Sequence, residues 1–441
     1  MRTTESAEQK QDSPRTVPPR ELRRVVTASM VGSALEWYDF SIYGTASALV
    51  FSDLFFPSLD PKVGLLATLG TFAVGFCARP IGGLFFGYIG DRHGRKVVLL
   101  STIMLMGIAT VLIGLLPTYG QIGVWAPVLL LVLRVVQGFG SGAEQAGASL
   151  ICTEFAPPRR RGLLGSLAFA GIILGTLLAS GVFALVSQLP DEALHSWGWR
   201  IPFLLSIVVV AVGIYIRFGV DESPVFQQVQ ASGDVVKNPI SGAVRNESRR
   251  ILTVLGLRIG ENGTSYLVSV LALSYVAKDL ALGKTVSTQA MLVASIVGLA
   301  AVPFWGWLSD RVGRRPVYRG TALFLALFAF PFFWMLDTRE PWLIYLSFTL
   351  AMTIGVWGMY SVQAAYFPEL FGARHRYSAL TIAKEIGAVL GGGLAPVLGA
   401  AVLLWAGGGW ALAAYVLVLA AISFVCTYLV PETNGKDLAD R

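Results

Sequence analysis

Acidic and basic side chains recur inside the apolar stretches of this 441-residue sequence. An ionised group in the hydrocarbon core of a membrane costs about 2.5–3.5 kcal/mol on insertion scales, so such groups face the protein interior and are functional candidates. A carboxylate beside a guanidinium stays ionised, but it takes up a proton when the guanidinium is drawn away. The chemistry available to these residues is therefore reversible protonation coupled to the binding of a charged ligand.

The first candidate group lies in the N-terminal half of the chain. Glu36 and Asp39 are three residues apart and share one helical face, and Arg134 lies at a similar depth in a later apolar stretch. We predict Asp39 as the proton acceptor and Arg134 as its switch, with Glu36 as the alternative acceptor. A static ion pair that only orders the bundle is the competing interpretation. Arg79, near the middle of another stretch, is expected to meet a ligand or Glu144.

A second candidate group lies in the C-terminal half. Arg258, Glu261 and Asn262 occupy adjoining positions of one helical turn, and Tyr266 follows one turn later. We expect these residues to line the second half of a ligand site. The arginine and glutamate at i, i+3 could instead serve only to neutralise each other for membrane insertion.

Two later stretches complete the second group. Tyr360 and Gln363 have the spacing to face a ligand together, although aromatic residues at such spacing are as often packing residues. Lys384 and Glu385 are adjacent and point about 100° apart on a helix, so they cannot satisfy each other well. We predict Lys384 as an anchor for a carboxylate ligand, with Glu385 paired elsewhere, for example to Arg258.

Apolar helices must position these groups, because about 20 helical residues cross a hydrocarbon layer about 30 Å thick. The composition is 54% hydrophobic and 14% charged, against about 25% charged in a soluble domain. Reading for such spans predicts an all-α membrane protein of twelve transmembrane helices in two pseudo-symmetric six-helix bundles. The predicted divisions are a disordered tail (1–24), an N-terminal bundle (25–219), a linker (220–250), a C-terminal bundle (251–430) and a second tail (431–441).

Basic residues concentrate in alternate connections between the predicted spans. The positive-inside rule then places both termini in the cytoplasm. The same distribution accounts for the net charge of +7, and no pattern typical of nucleic-acid binding accompanies it. The three cysteines and three histidines are scattered, so the sequence predicts no metal site and no enzyme active site.

A ten-residue motif occurs once in each half of the chain. The segment 87–96 reads GYIGDRHGRK and the segment 306–315 reads GWLSDRVGRR. In each copy we expect the aspartate to accept hydrogen bonds from a helix N terminus or an arginine and so to close the cytoplasmic side. The competing interpretation is that the arginines only fix topology. The predicted gate residues are Gly87, Asp91, Arg92, Gly94, Arg95, Asp310, Arg311, Gly313 and Arg314.

These motifs resemble the major facilitator superfamily, whose loop between helices two and three carries a similar signature. The segments ALEWYDF (34–40), RPIGG (79–83), RVVQGFGSGAE (134–144), SWGWRIPF (196–203) and GGGLAP (391–396) look like its metabolite:proton symporter branch. The resemblance implies the major facilitator fold and adds Gln137 to the substrate-binding candidates beside Glu144. Lys384 departs from that branch, where this position is often uncharged.

The resemblance implies proton-coupled uptake of a small organic acid, with the proton as the only coupling ion and no other cofactor. Uptake of a zwitterionic osmolyte such as betaine or proline is the alternative, and export is a weaker one. A channel or sensor would not need the internal repeat. We expect a monomer in the bacterial inner membrane whose partners are its substrate, the proton and the lipid bilayer.

Overall fold

The computed structural model describes residues 19–93, 95–142, 153, 156–218, 239–372 and 376–436. These residues form helices and their connections, and they contain no β-strand. The long helices are α1 (Pro19–Leu49), α2 (Pro61–His93), α3 (Arg95–Leu115), α4 (Trp125–Ser141), α5 (Arg161–Val186), α6 (Arg200–Phe218), α7 (Pro239–Tyr266), α8 (Gly283–Val312), α9 (Arg314–Asp337), α10 (Pro341–Leu370), α11 (Arg376–Gly387 with its continuation Ala395–Ala406) and α12 (Gly409–Cys426).

Three of these helices contain wider turns in which hydrogen bonds reach one residue further than in an α-helix. Such turns continue α7 over Leu267–Ala272, interrupt α10 over Ala351–Val356 and join the two parts of α11 over Ala388–Leu394. Wide turns of this kind are frequent at functional sites. The third includes the first four residues of the GGGLAP segment, Gly391 to Leu394.

Seven helices are by themselves long and apolar enough to cross a membrane, so the chain is a multi-pass membrane protein. These spans are Pro61–Phe86, Pro158–Val186, Gly283–Val312, Arg314–Asp337, Pro341–Leu370, Ser378–Ala406 and Gly409–Cys426. The bent pair formed by Asp191–Gly198 and Arg200–Val212 would be an eighth. The count of twelve spans stays a prediction, since the apolar segments Leu100–Leu115 of α3 and Trp125–Ser141 of α4 are shorter, and α1 and α7 carry charged residues.

The helices pack in a pattern that repeats after six elements. Within the first six helices, which we call the N half, α1 packs on α5, α2 on α4 and α3 on α6. Within the last six, the C half, α7 packs on α11, α8 on α10 and α9 on α12. The contacts between halves repeat likewise, since α5 packs on α8 and α2 on α11.

Glycine allows helices in the N half to approach each other closely. A Cβ atom at Gly138 of α4 would lie 1.8 Å from the carbonyl oxygen of Gly75 in α2. A larger residue there would require the two helices to separate. This agrees with the use of small residues where membrane helices cross.

Several predicted boundaries shift by a few residues. The helix α1 begins at Pro19, within the predicted tail, α7 begins at Pro239, within the predicted linker, and α12 ends at Cys426. The described residues do not include the rest of the two tails, at 1–18 and 437–441. They also do not include 219–238, which covers the first part of the predicted linker, or 143–152, which follows α4.

Candidate functional site

A buried ion cluster joins the two halves near the middle of the bundle. In α2, Nε of Arg79 lies 2.9 Å from Oε2 of Glu385 in α11, and its Nη2 donates to the other oxygen of that carboxylate at 3.4 Å. Its Nη1 lies 3.2 Å from Oε1 of Glu36 in α1. Each of the three residues is 2% exposed. The prediction that Glu385 pairs with Arg258 was wrong, because α11 packs on α2 across the interface and brings Glu385 to Arg79.

Arg134 of α4 is fully buried among aromatic rings in the N half. Its Nη1 donates a hydrogen bond to Oε1 of Gln137, and Nε2 of Gln137 donates to Oγ1 of Thr110 at 2.7 Å. Its Nε and Nη2 have no hydrogen-bond partner among the described residues. The guanidinium carbon lies 4.9, 4.1 and 4.7 Å from the ring centroids of Phe40, Tyr43 and Phe72.

Asp39 and Arg134 interact electrostatically, and their roles as proton acceptor and switch stay a prediction. Oδ1 of Asp39 accepts a hydrogen bond from the hydroxyl of Ser206 in α6 at 3.0 Å. Three residues of helix leave Glu36 and Asp39 about 60° apart around α1. Although both residues lie on one face of α1, this angle is enough to direct Glu36 toward Arg79 of α2 and Asp39 toward Ser206 of α6.

The second network lies entirely within the C half. Nη1 of Arg258 donates to Oε2 of Glu261 at 3.4 Å and to Oε1 of Gln363 at 3.0 Å. Nε2 of Gln363 donates to the same glutamate oxygen at 2.9 Å. The pair between Arg258 and Glu261 of α7 therefore forms, and Gln363 of α10 is hydrogen-bonded to both of its members.

Lys384 of α11 is 2% exposed. Its Nζ is 5.2 Å from the ring centroid of Phe169 in α5, whereas its neighbour Glu385 faces Arg79. Lys384 also interacts electrostatically with Arg258 and with the surrounding carboxylates. The two adjacent side chains therefore point to different partners, as their helical spacing predicts, and the anchoring role of Lys384 stays a prediction.

Aromatic residues with unsatisfied polar atoms surround this centre. The rings of Trp37 and Tyr266 stack with centroids 6.0 Å apart, and Tyr360 meets Trp37 edge-on at 6.1 Å. Three buried polar atoms, Nε1 of Trp37, Oδ1 of Asn262 and the hydroxyl of Tyr360, have no hydrogen-bond partner among the described residues. Buried polar atoms are normally paired, so these atoms are suited to bind a polar ligand.

A small cavity adjoins these rings between α1, α5, α7, α8 and α10. Trp37, Tyr266 and Trp357 form part of its wall, and Ser41 and Thr45 add hydroxyl groups. Its free volume is about 20 Å³, which is room for about one water molecule. This cavity is therefore too small in this conformation for a ligand much larger than water.

The second copy of the repeated motif, 306–315, lies where α8 ends and α9 begins, next to the start of α5. We call this arginine-rich end of the bundle the basic end. Asp310 at the end of α8 accepts hydrogen bonds from the backbone N–H groups of Gly162 and Leu163 in α5, both at 2.8 Å. The same carboxylate lies 2.8 Å from Nη1 of Arg314. Because α5 belongs to the N half and α8 to the C half, this contact holds the basic end closed. Gly313, with φ of 114°, makes the turn into α9.

The C-terminal segment reinforces the same end, a role that the sequence analysis missed. Glu432 accepts hydrogen bonds from the backbone N–H groups of Arg314 and Arg315 at 2.9 Å, and so caps α9. The backbone oxygen of Lys436 accepts a hydrogen bond from Arg161 of the N half at 2.9 Å. A glutamate shortly after the last apolar span was the available signal.

Further contacts between the halves close the opposite end. Lys278 of the C half donates to the hydroxyl of Ser52 at 2.8 Å and lies 3.8 Å from Asp53. His195 lies 3.3 Å from the same aspartate. Burial alone would raise the pKa of Asp53, but the hydrogen bond with His195 and the charge of Lys278 lower it to about 2.

Part of the first motif copy cannot be placed. Gly87 lies in α2. The described part of the chain does not include Gly94 or the side chains of Asp91, Arg92 and Arg95. It also does not include the predicted binding residue Glu144. Arg311 is described and lies 4.3 Å from the ring centroid of Trp307.

Comparison with known proteins relates both halves to transporters. A family model described as sugar (and other) transporters matches residues 25–234, and the model of the major facilitator superfamily matches residues 255–441. The shikimate transporter of Escherichia coli strain K12 is 39% identical over 93% of this chain and 95% of its own length. The proline/betaine transporter of the same strain is 36% identical over 95% of this chain and 85% of its own length. An inner membrane metabolite transport protein of that strain is 37% identical over 96% and 97%.

Among solved structures, a proton:xylose symporter bound to 6-bromo-6-deoxy-D-glucose has the same fold. It gives a TM-score of 0.72 at 18% identity, covering 95% of this chain and 98% of that one. The partially occluded inward-open form of the xylose transporter from E. coli gives 0.69 over 95% and 99% at 18% identity.

Proposed function

Since this chain belongs to the major facilitator superfamily of membrane transporters and is not an enzyme, we propose that it imports a small carboxylate-bearing metabolite together with a proton. The observation that carries the proposal is the buried Arg79 held by one carboxylate from each half, Glu36 and Glu385. A charged contact at the junction of two moving halves can report ligand and proton binding to both. Relatives described as inner-membrane and shikimate transporters support this location and substrate class.

The charge balance of the centre supports coupling between a proton and an anion. Four cationic side chains, Arg79, Arg134, Arg258 and Lys384, stand with four carboxylates, Glu36, Asp39, Glu261 and Glu385, all at most 4% exposed. These eight described groups, which do not include Glu144, are together neutral when all are ionised. A proton on one carboxylate leaves one positive charge in a medium of low dielectric constant, which is costly until an anion arrives. A substrate carboxylate restores neutrality, so proton and anion favour each other's binding.

We assign the proton to Glu36, with Asp39 as the alternative acceptor. Glu36 shares Arg79 with Glu385, so any movement of the guanidinium toward a substrate carboxylate deprives Glu36 of its counter-ion and favours its protonation. Asp39 instead accepts a hydrogen bond from the Ser206 hydroxyl and lies within electrostatic range of Arg134, both in its own half. Arg134 then acts as a fixed positive charge beside the acceptors rather than as the switch.

The substrate would bind between the two networks. Lys384 and Arg258 provide positive charge from the C half, and the unsatisfied atoms of Trp37, Asn262 and Tyr360 provide hydrogen bonds. Hydroxyl and aromatic groups of the adjoining cavity would contact the rest of the molecule. A compact acid with hydroxyl groups suits this lining.

Transport would proceed by alternating access between the two halves. We propose that the helices α1 to α12 form twelve spans and that the basic end, with both termini, faces the cytoplasm, because arginines cluster there. The Asp310 contact then closes the cytoplasmic side and the Lys278 contact closes the periplasmic side. We propose a functional monomer, since one chain contains both halves of the site.

A zwitterionic osmolyte such as glycine betaine is the second candidate. The stacked rings of Trp37 and Tyr266 beside the cavity could hold a quaternary ammonium group by cation–π contact. The similarity to a proline/betaine transporter is compatible with it. A zwitterion would not neutralise the charge left by the proton, which is why we prefer the anion.

Uptake into proteoliposomes distinguishes the two candidates. We would follow labelled shikimate and labelled glycine betaine under an inside-alkaline pH gradient, with and without a protonophore. Accumulation of shikimate that the protonophore abolishes supports the proposal. Accumulation of glycine betaine without accumulation of shikimate would instead favour the second candidate, a transporter of a zwitterionic osmolyte.

A further inference from the structure

A wide cleft opens at the basic end, at the junction of the two halves and away from the central site. Its volume is about 640 Å³. The N half contributes Arg159, Arg160 and Leu163, at the start of α5, and the C half contributes Trp307 and Arg311, at the end of α8. Asp310 and the C-terminal segment complete the wall.

Within the described part of the chain, the arginines of this cleft have no acidic partner. Arg159, Arg160 and Arg311 form no ion pair with any described residue. The acid of the wall, Asp310, is already engaged by Arg314 and by two backbone N–H groups of α5. Among its described lining residues, the cleft therefore presents three guanidinium groups and one carboxylate, which is already engaged.

The positions of these groups suit a phosphate-bearing anion at the membrane surface. A guanidinium offers paired N–H donors that match phosphate oxygens. The guanidinium carbon of Arg311 lies 4.3 Å from the ring centroid of Trp307, which orients it while leaving it exposed. Trp307 is itself 36% exposed near the end of a membrane helix, where tryptophan typically marks the headgroup level.

We propose that this cleft binds a phosphate group, supplied either by an anionic lipid headgroup or by a soluble phosphate. Because Arg159 and Arg160 belong to the N half and Arg311 to the C half, one bound phosphate bridges the halves beside the Asp310 contact. Such a ligand binds best when the basic end is closed and so stabilises that conformation by mass action. Binding does not depend on the proposed function. The expected consequence, slower opening of the basic end during transport, does rest on it.

The test uses the purified full-length protein and measures its unfolding midpoint. In one arm the protein is in a neutral detergent and inorganic phosphate is titrated against chloride at constant ionic strength. In the other arm it is in nanodiscs of phosphatidylcholine with increasing phosphatidylglycerol. The variant combines R159Q, R160Q and R311Q, and the matched control R245Q, R249Q and R250Q removes three exposed arginines from the start of α7, outside the cleft.

We expect a saturable rise of the midpoint in the wild type and the control, and an affinity weaker by roughly tenfold or more in the cleft variant. A response in the nanodisc arm identifies a lipid headgroup, and one in the detergent arm identifies a soluble phosphate. Equal responses in the cleft variant and the control, or no response in either arm, would overturn the proposal. Binding that is lost in the variant without any change in transport rate would retain the site and reject its effect on transport alone.

Discussion

Replacing Glu385 by glutamine should loosen the junction between the halves. The carboxylate holds Arg79 through two hydrogen bonds, at 2.9 and 3.4 Å, and both partners are 2% exposed. A hydrogen bond to a charged group contributes about 1.5–3 kcal/mol, and complete loss of a buried partner costs about 3–5 kcal/mol. Glu36 remains on Arg79 in the variant, so we expect the lower range.

This energy is lost only from conformations in which α2 and α11 are together. The equilibrium between open and closed forms should therefore shift toward open by roughly 10- to 150-fold, at about 1.4 kcal/mol per factor of ten. Distances between spin labels placed on the two halves, measured by pulsed electron resonance, would report the populations. Glu261→Gln is the matched control, because it weakens a pair that lies within the C half. The pair between Glu385 and Arg79 does not hold the halves together if the wild type and Glu385→Gln give equal distance distributions. The same conclusion follows if both variants show the same shift.

Three further predictions concern the ends and the packing of the bundle. Asp310→Asn, which removes the charge that holds α5 to α8, should open the basic end in the same spin-label measurement. Gly138→Ala should reduce the yield of monodisperse protein in size-exclusion chromatography, since its Cβ would lie 1.8 Å from a backbone oxygen of α2, whereas Gly120→Ala meets open space and should not. The pKa of His195 is raised above its ordinary value by its hydrogen bond with Asp53, so its contribution to stability is present at low pH and is lost as pH rises through that raised pKa. The unfolding midpoint of the wild type should therefore approach that of His195→Gln as the pH rises above about 6.5 and through the raised pKa; a constant difference would contradict this.

Local features of the site could be read from the sequence because helical spacing fixes them. The Arg258–Glu261 pair is set by its i, i+3 separation, and the divergence of Lys384 from its neighbour follows from the helical angle. The contact of Asp310 with a helix N terminus and an arginine also agrees with the expectation drawn from its motif.

Contacts between distant helices could not be read in this way. Arg79 and Glu385 are separated by 306 positions, and their pairing depends on the packing of α2 against α11. Periodicity shows which residues share a face of one helix but not which helix that face meets. The aromatic surroundings of Arg134 and the capping of α9 by Glu432 also depend on contacts between residues that are far apart in the chain, so helical periodicity could not predict them.

The central claim is that a proton moves with the substrate through the Glu36–Arg79–Glu385 cluster. The most direct test records external pH in weakly buffered liposomes when shikimate is added without an imposed gradient, for the wild type and for Glu36→Gln. We expect alkalinisation with the wild type and none with the variant, although the variant still binds shikimate in a thermal-shift assay. Shikimate transport by the wild type without any change in pH, or proton movement that persists in Glu36→Gln, would contradict it.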